Sequence, residues 1–170
     1  MTDPEDVLKK AGSFFTKLGS TMKSTAKHVT GIGRGDVRLE LDAPKAAPGG
    51  TLRGRIVLQL AEPTGARRLA VLLRATRRQR QSGQANPVTQ ELYKFDLELA
   101  GAQSYDSTTV PFELTVPPDA LELKPTSSHP LVDALRVLSP TGPIEWQVIG
   151  RLEIPWGRDL TSSVDVVISR

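Results

Sequence analysis

Proton transfer near neutrality and metal binding most readily recruit histidine. This chain has two, His28 and His129, and no Cys. His28 sits in a lysine-rich stretch and His129 precedes Pro130. Neither has a second His or a carboxylate at ligand spacing, so no metal site is expected. Without Cys, neither a disulfide nor a thiolate centre can form. No G-x-S-x-G nucleophile elbow occurs. Gly31-Ile32-Gly33-Arg34-Gly35 is written like the start of a dinucleotide loop, yet it follows no predicted strand and opens no predicted helix. Asp96 and Glu98 share one face of a predicted strand and read as surface charge, not as an acid–base pair. Arg34-Gly35-Asp36 matches an integrin-binding tripeptide, too short a match to carry weight. No enzyme and no cofactor are expected. What remains is the chemistry of charge recognition.

The positive charge is segregated. Val7 to His28 holds five Lys and no acid, and Pro63 to Gln90 holds six Arg and no acid. These stretches carry +11 in a chain whose net charge is +3, so the remainder carries −8. Such separation points to an anionic partner more than to general solubility. The second stretch is Arg67, Arg68, Arg74, Arg77, Arg78 and Arg80. One reading is an anion-binding patch for a phosphorylated peptide, a lipid headgroup or a nucleic acid, with Arg74, Arg78 and Arg80 on one strand face. The other is a solvated strand end and loop. Nucleic acid is the weakest partner, because no aromatic is interleaved to stack on bases.

The first basic stretch has helical rhythm. Val7, Leu8, Ala11, Phe14, Phe15, Leu18 and Met22 recur at i, i+4 and i+7. At about 100° per residue they share an arc of roughly 120°. Lys10 and Lys17 flank that arc, and Lys9, Lys23 and Lys27 lie opposite. Asp3, Glu5 and Asp6 suit a helix N-terminus, and Pro4 suits its first turn. Gly12 and Gly19 each weaken the helix by up to about 1 kcal/mol relative to Ala. Residues 1–30 therefore read as an amphipathic arm that becomes firmly helical when its apolar face meets a surface. That surface can be an anionic membrane, the arm's own domain, or a groove on a partner protein. For a membrane, each Lys contributes about 1 kcal/mol, and each fully inserted Phe or Leu about 1.5–3 kcal/mol. The acidic N-terminus and the absence of any apolar run near ~18 residues argue against a secretory signal or a membrane span. A cytoplasmic, peripherally membrane-associated protein is expected.

From residue 31 onward the period becomes two. Val37-Leu39-Leu41, Leu52-Gly54-Ile56-Leu58-Leu60, Leu69-Val71-Leu73, Tyr93-Phe95-Leu97-Leu99, Val110-Phe112-Leu114-Val116, Ile144-Trp146-Val148-Gly150-Leu152-Ile154 and Val164-Val166-Ile168 alternate with other residues. Ala70 and Leu72 make the third strand apolar on both faces, as in a central strand. Seven such strands without a βαβ rhythm predict an all-β, immunoglobulin-like antiparallel sandwich over 31–170. The long connection from Pro117 to Pro143 is predicted to hold a short helix, with Ser128 as cap, Pro130 as first residue, and Leu131, Val132, Leu135 and Leu138 as its apolar face.

The order of these strands resembles an arrestin-type N-lobe. Val37-Arg38-Leu39-Glu40-Leu41 followed by Pro48-Gly49-Gly50-Thr51-Leu52-Arg53-Gly54-Arg55-Ile56 is similar to that family's first two strands. Val110-Pro111-Phe112-Glu113-Leu114-Thr115-Val116-Pro117 and Gly142-Pro143-Ile144-Glu145-Trp146-Gln147-Val148-Ile149-Gly150-Arg151-Leu152 resemble two later ones. Phe14-Phe15-Thr16-Lys17 and Gly31-Ile32-Gly33 are similar to the opening of bacterial sporulation-control-type arrestins. The sequence departs from the family where Gly50 replaces an expected acid and where there is room for one lobe, not two. The resemblance implies a scaffold or adaptor without a cofactor. The expected function is thus docking on a membrane surface or anionic partner, with protein partners bound by sheet edges and loops. A self-assembling protein that uses the arm for assembly is the alternative.

Overall fold

Alternation of apolar and polar residues turns into strands where one face can be buried, and seven long strands form where the period of two is read. The computed structural model describes residues 35–79, 86–123 and 141–170. Within these it has β1 (Gly35–Leu41), β2 (Lys45–Ala46), β3 (Thr51–Leu60), β4 (Thr64–Ala66), β5 (Arg68–Gln79), β6 (Val88–Ala100), β7 (Gln103–Tyr105), β8 (Thr108–Thr115), β9 (Thr141–Glu153) and β10 (Leu160–Ile168). The predicted helices over 1–30 and Ser128–Leu138 lie outside the described residues. Three short strands, β2, β4 and β7, add to the seven long ones. Several strands run longer than their apolar rhythm: β5 continues through the arginines to Gln79, β6 begins at Val88, β9 at Thr141 and β10 at Leu160.

Two sheets face one another. One has the order β1-β3-β8, the other β2-β10-β9-β5-β6, and β4 pairs with β7 in a small ribbon. The pairings are antiparallel except that of the two-residue β2 with β10, which is parallel. The ribbon closes one end of the sandwich, with the Tyr105 hydroxyl donating to Ala100 O at 2.9 Å. At that same end Gly35 opens β1 opposite Leu60, the Leu60 amide donates to Ser107 Oγ, and the Arg67 amide donates to Glu153 O.

The core is aliphatic. Leu39, Ile56, Leu58, Leu69, Val71, Leu73, Val148 and Leu152 are all but inaccessible. Ala70 and Leu72, on the opposite face of β5, are also buried, in keeping with a strand that has β6 on one side and β9 on the other. Trp146 closes the far end of the core against Tyr93, their rings 5.6 Å apart and tilted by 49°.

The two sheets approach most closely where Gly150 of β9 faces β3 and β1. A Cβ on Gly150 would lie 2.7 Å from Ile56 Cδ1 and 3.3 Å from Leu39 Cδ1. Ile56 thus occupies the volume that a side chain at 150 would need. Overpacking of this kind costs about 1–3 kcal/mol, and Ile→Val costs about 0.5–1.5 kcal/mol. Because Ile56→Val removes the very atom that obstructs, Gly150→Ala combined with Ile56→Val should lose less stability than the two single variants added together. Urea denaturation of the four proteins of that cycle measures this; additive losses would show that the sheets do not meet in this way.

Candidate functional site

On the outer face of the five-stranded sheet, the pleat of β5 sets Arg68, Arg74, Thr76 and Arg78 outward, interrupted by buried Ala70 and Leu72. The neighbouring strands place carboxylates and amides beside them. Arg68 donates through Nη1 and Nη2 to Asp96 of β6, at 3.2 and 3.0 Å, and through Nη2 to Glu153 of β9 at 2.8 Å. Arg151 approaches the same Glu153 oxygen at 3.4 Å. Arg74 donates to Gln147 Oε1, whose amide donates onward to Asp165 of β10. Arg78 lies 3.7 Å from Glu145. A shallow depression of about 250 Å³ lies along this row, lined among others by Arg74, Arg78, Glu145 and Asp165. Its walls carry both signs of charge.

The sequence-predicted arginines therefore separate by pleat and position. Arg68, Arg74 and Arg78 share the outer face, each beside a partner. Arg77 falls on the core-facing register with Leu73 and Ala75 and is half-buried. Arg67 precedes β5 and is exposed. Arg80 lies outside the described residues, as do the arm positions Val7, Lys9, Lys10, Phe14, Phe15, Lys17, Leu18, Met22, Lys23 and Lys27. Among the described residues there is no group of three or more His, Asp or Glu placed to hold a metal ion. No helix there is long and apolar enough to cross a membrane.

One exposed residue lies outside the strands and their period of two. Trp156, in the turn between β9 and β10, is 100% exposed and has φ of +57°, a conformation uncommon for a bulky residue. The turn is held by its own bonds, the Ile154 amide donating to Asp159 Oδ1 and the Gly157 amide to Ile154 O. It sits at the end of the sandwich where Gly35 opens the first strand, with exposed Arg158 and Arg67 close to it in the topology. The signal was present in Pro155-Trp156-Gly157, a turn signature with an aromatic at its tip.

No family model matches the chain, and no curated protein matches it in sequence. Among solved structures it is similar to Spo0M, a sporulation control protein from Bacillus subtilis, at 16% identity and a TM-score of 0.58. The alignment covers 82% of this chain and 51% of that one. The fold is that of an arrestin-type lobe. The likeness to an arrestin-type lobe read from the order of the strands is thus met in three dimensions, and the chain spans about half the length of Spo0M. Weaker overlaps, with beta-glucosidases from Listeria innocua (12% identity, TM-score 0.30, 79% of this chain and 16% of that one) and Erythrobacter marinus (12%, 0.27, 79% and 15%), bear on neither fold nor chemistry.

The Arg68 cluster makes stability depend on acid. Glu153 is held below the usual carboxylate range, first by its hydrogen bond from Arg68, and Arg68 is raised by Glu153 and Asp96 in turn. A carboxylate whose folded pKa is depressed contributes stability that is present above its unfolded pKa and lost as pH falls through the folded value. With the three side chains 21–29% exposed, the contribution lies between that of exposed and buried pairs, about 1–2 kcal/mol. Arg68→Met should remove it at pH 7 and flatten the fall of stability below about pH 4.3, the ordinary Glu value. Denaturation curves from pH 7 to pH 3 measure both effects. Parallel wild-type and variant curves across that range would refute the assignment.

Proposed function

We propose that this chain is a non-enzymatic docking module: the basic arm of residues 1–30 binds an anionic membrane surface, and the sandwich behind it presents loops and edges to protein partners. The observation that carries the reading is the placement of Trp156. The arm joins the sandwich at Gly35, and the fully exposed Trp156 projects at that end with Arg67 and Arg158 nearby. Trp prefers the boundary between apolar and wet surroundings, and cations favour anionic headgroups. A rigid aromatic tip and a cationic arm at one end can meet one surface together.

The outer face of the five-stranded sheet supports this allocation. Arg68, Arg74 and Arg78 each have a partner within the sheet, and the reading assigns the external anion to exposed Arg67 and Arg158 and to the five lysines of the arm.

Co-sedimentation with vesicles containing phosphatidylserine tests the reading. The intact chain should pellet at low salt and be released as salt rises. Replacing Lys9, Lys10, Lys17, Lys23 and Lys27 by Gln should abolish pelleting. Trp156→Ala should weaken it about tenfold, the equivalent of half-inserting one aromatic side chain. An intact chain that stays in the supernatant with anionic vesicles at low salt would defeat the proposal.

A further inference from the structure

Strand β6 is the outer edge of the five-stranded sheet and pairs with β5 alone among the described strands. It is 13 residues long and contains no Pro, so one side of its backbone is a template for another strand. Its register with β5 skips Leu92 and Leu99. Bulges re-aim an edge and interrupt pairing, which leaves Tyr93 to Glu98 as the regular stretch between two interruptions.

Among the described residues, the side chains of that stretch are incompletely partnered within one copy. Phe95 stands opposite Leu73 on the core-facing side, yet it is 42% exposed. Tyr93 and Leu97, on the same side, are half-buried. On the outer side, Lys94 stands opposite Arg74, a like charge whose guanidinium already donates to Gln147. The ion pairs among the described residues leave Lys94 without a carboxylate.

Tyr93-Lys94-Phe95-Asp96-Leu97 is complementary to itself. Paired antiparallel about Phe95, it sets Phe95 against Phe95 of a second copy, Lys94 against that copy's Asp96, and Tyr93 against its Leu97. Every pair is apolar with apolar or cation with anion, and each unlike pair occurs twice by symmetry. Neighbouring registers fail. Centring on Lys94 opposes Lys to Lys, and centring on Asp96 opposes Asp to Asp. A half-step puts Phe95 against Asp96 and sends side chains to the wrong faces. The correct register also gives Lys94 a carboxylate, which the ion pairs among the described residues do not.

We propose that β6 is a homodimerisation edge: two copies join β6 to β6 in antiparallel fashion around Phe95, so that the two five-stranded sheets become continuous. The proposal is independent of membrane docking, since β6 and the arm's entry point belong to different sheets. Five residue pairs make a small interface, and a dissociation constant in the micromolar range is expected, roughly 1–100 µM.

Sedimentation velocity of the full chain from about 1 to 300 µM, a span set by that range, measures it. The wild type should pass from monomer to dimer. Lys94→Glu, an exposed change that touches no core residue, should raise the dissociation constant about tenfold or more by opposing Glu to Asp96 twice. Asp96→Lys, which also removes the carboxylate that accepts from Arg68, should weaken the dimer, and adding Lys94→Glu should restore association without restoring that lost stability, a recovery that general damage to the sheet cannot produce. Because the chain has no Cys, Phe95→Cys should oxidise to a covalent dimer, whereas Thr109→Cys on β8, the edge of the other sheet, should not. A wild type that stays monomeric at the highest concentration overturns the proposal. So does a dimer indifferent to Lys94→Glu, or one cross-linked at position 109 and not at 95.

Discussion

Five strands face three, and that inequality governs what this domain can bury and what it must leave open. The narrow sheet β1-β3-β8 supplies one wall of the core, and the wide sheet overlaps it with β10, β9 and β5. Leu69, Val71 and Leu73 of β5 face that core, and Ala70 and Leu72 on the opposite face of the strand are buried as well. The strand beyond β5 gains a partner on one side only. Its core-facing row is at most half-buried, at Tyr93 and Leu97, and Phe95 is left exposed. The apolar residues of β6 thus cannot be understood from β6 alone. They follow from where the opposite sheet ends.

The core is made of interlocked aliphatic side chains, packed closely enough that a Cβ on Gly150 would meet Ile56. Polar side chains lie mostly on the outer faces and the ends, with buried Ser162 and half-buried Arg77 as exceptions on the core-facing rows. On the outer face of the wide sheet they form rows across strands: Arg68 with Asp96 and Glu153, and Arg74 through Gln147 to Asp165. Such rows tie strands far apart in sequence and neutralise much of the charge that a linear reading assigns to the arginine run.

Much of the fold was legible in the sequence because a two-layer sandwich writes its geometry into a period of two. The seven long strands could be placed from residues such as Val37-Leu39-Leu41 and Val164-Val166-Ile168, and the centrality of β5 from its doubly apolar middle. What could not be read has physical causes. Strands β2, β4 and β7 are two or three residues long and exist because a neighbour offers hydrogen bonds, so no local pattern marks them. The extension of β5 to Gln79 was hidden by arginines, which satisfy an outward-facing position without signalling a strand. The partners of Arg68 lie 28 and 85 residues away, so Asp96 passed as ordinary surface charge. Trp156 interrupts no period and joins no cluster; only three-dimensional exposure singles it out.

Where binding can reside follows from the same constraint. An ion already matched within the sheet, such as Arg68, gains little by meeting another ion, because each new contact must first compete with an existing one; Lys94 on the same face has no such match among the described residues. A strand edge is different: its backbone groups are satisfied by water until another strand replaces that water in a register fixed by side-chain pairs. A rigid turn carrying an exposed aromatic also differs, since little conformational freedom remains to be lost on contact. The frame holds these features apart, with Trp156 on the β9–β10 turn at one end and Phe95 along a lateral edge. One surface can therefore be occupied without covering the other. A single arrestin-type lobe can in this way present two separate contacts without the cleft that a second lobe would create.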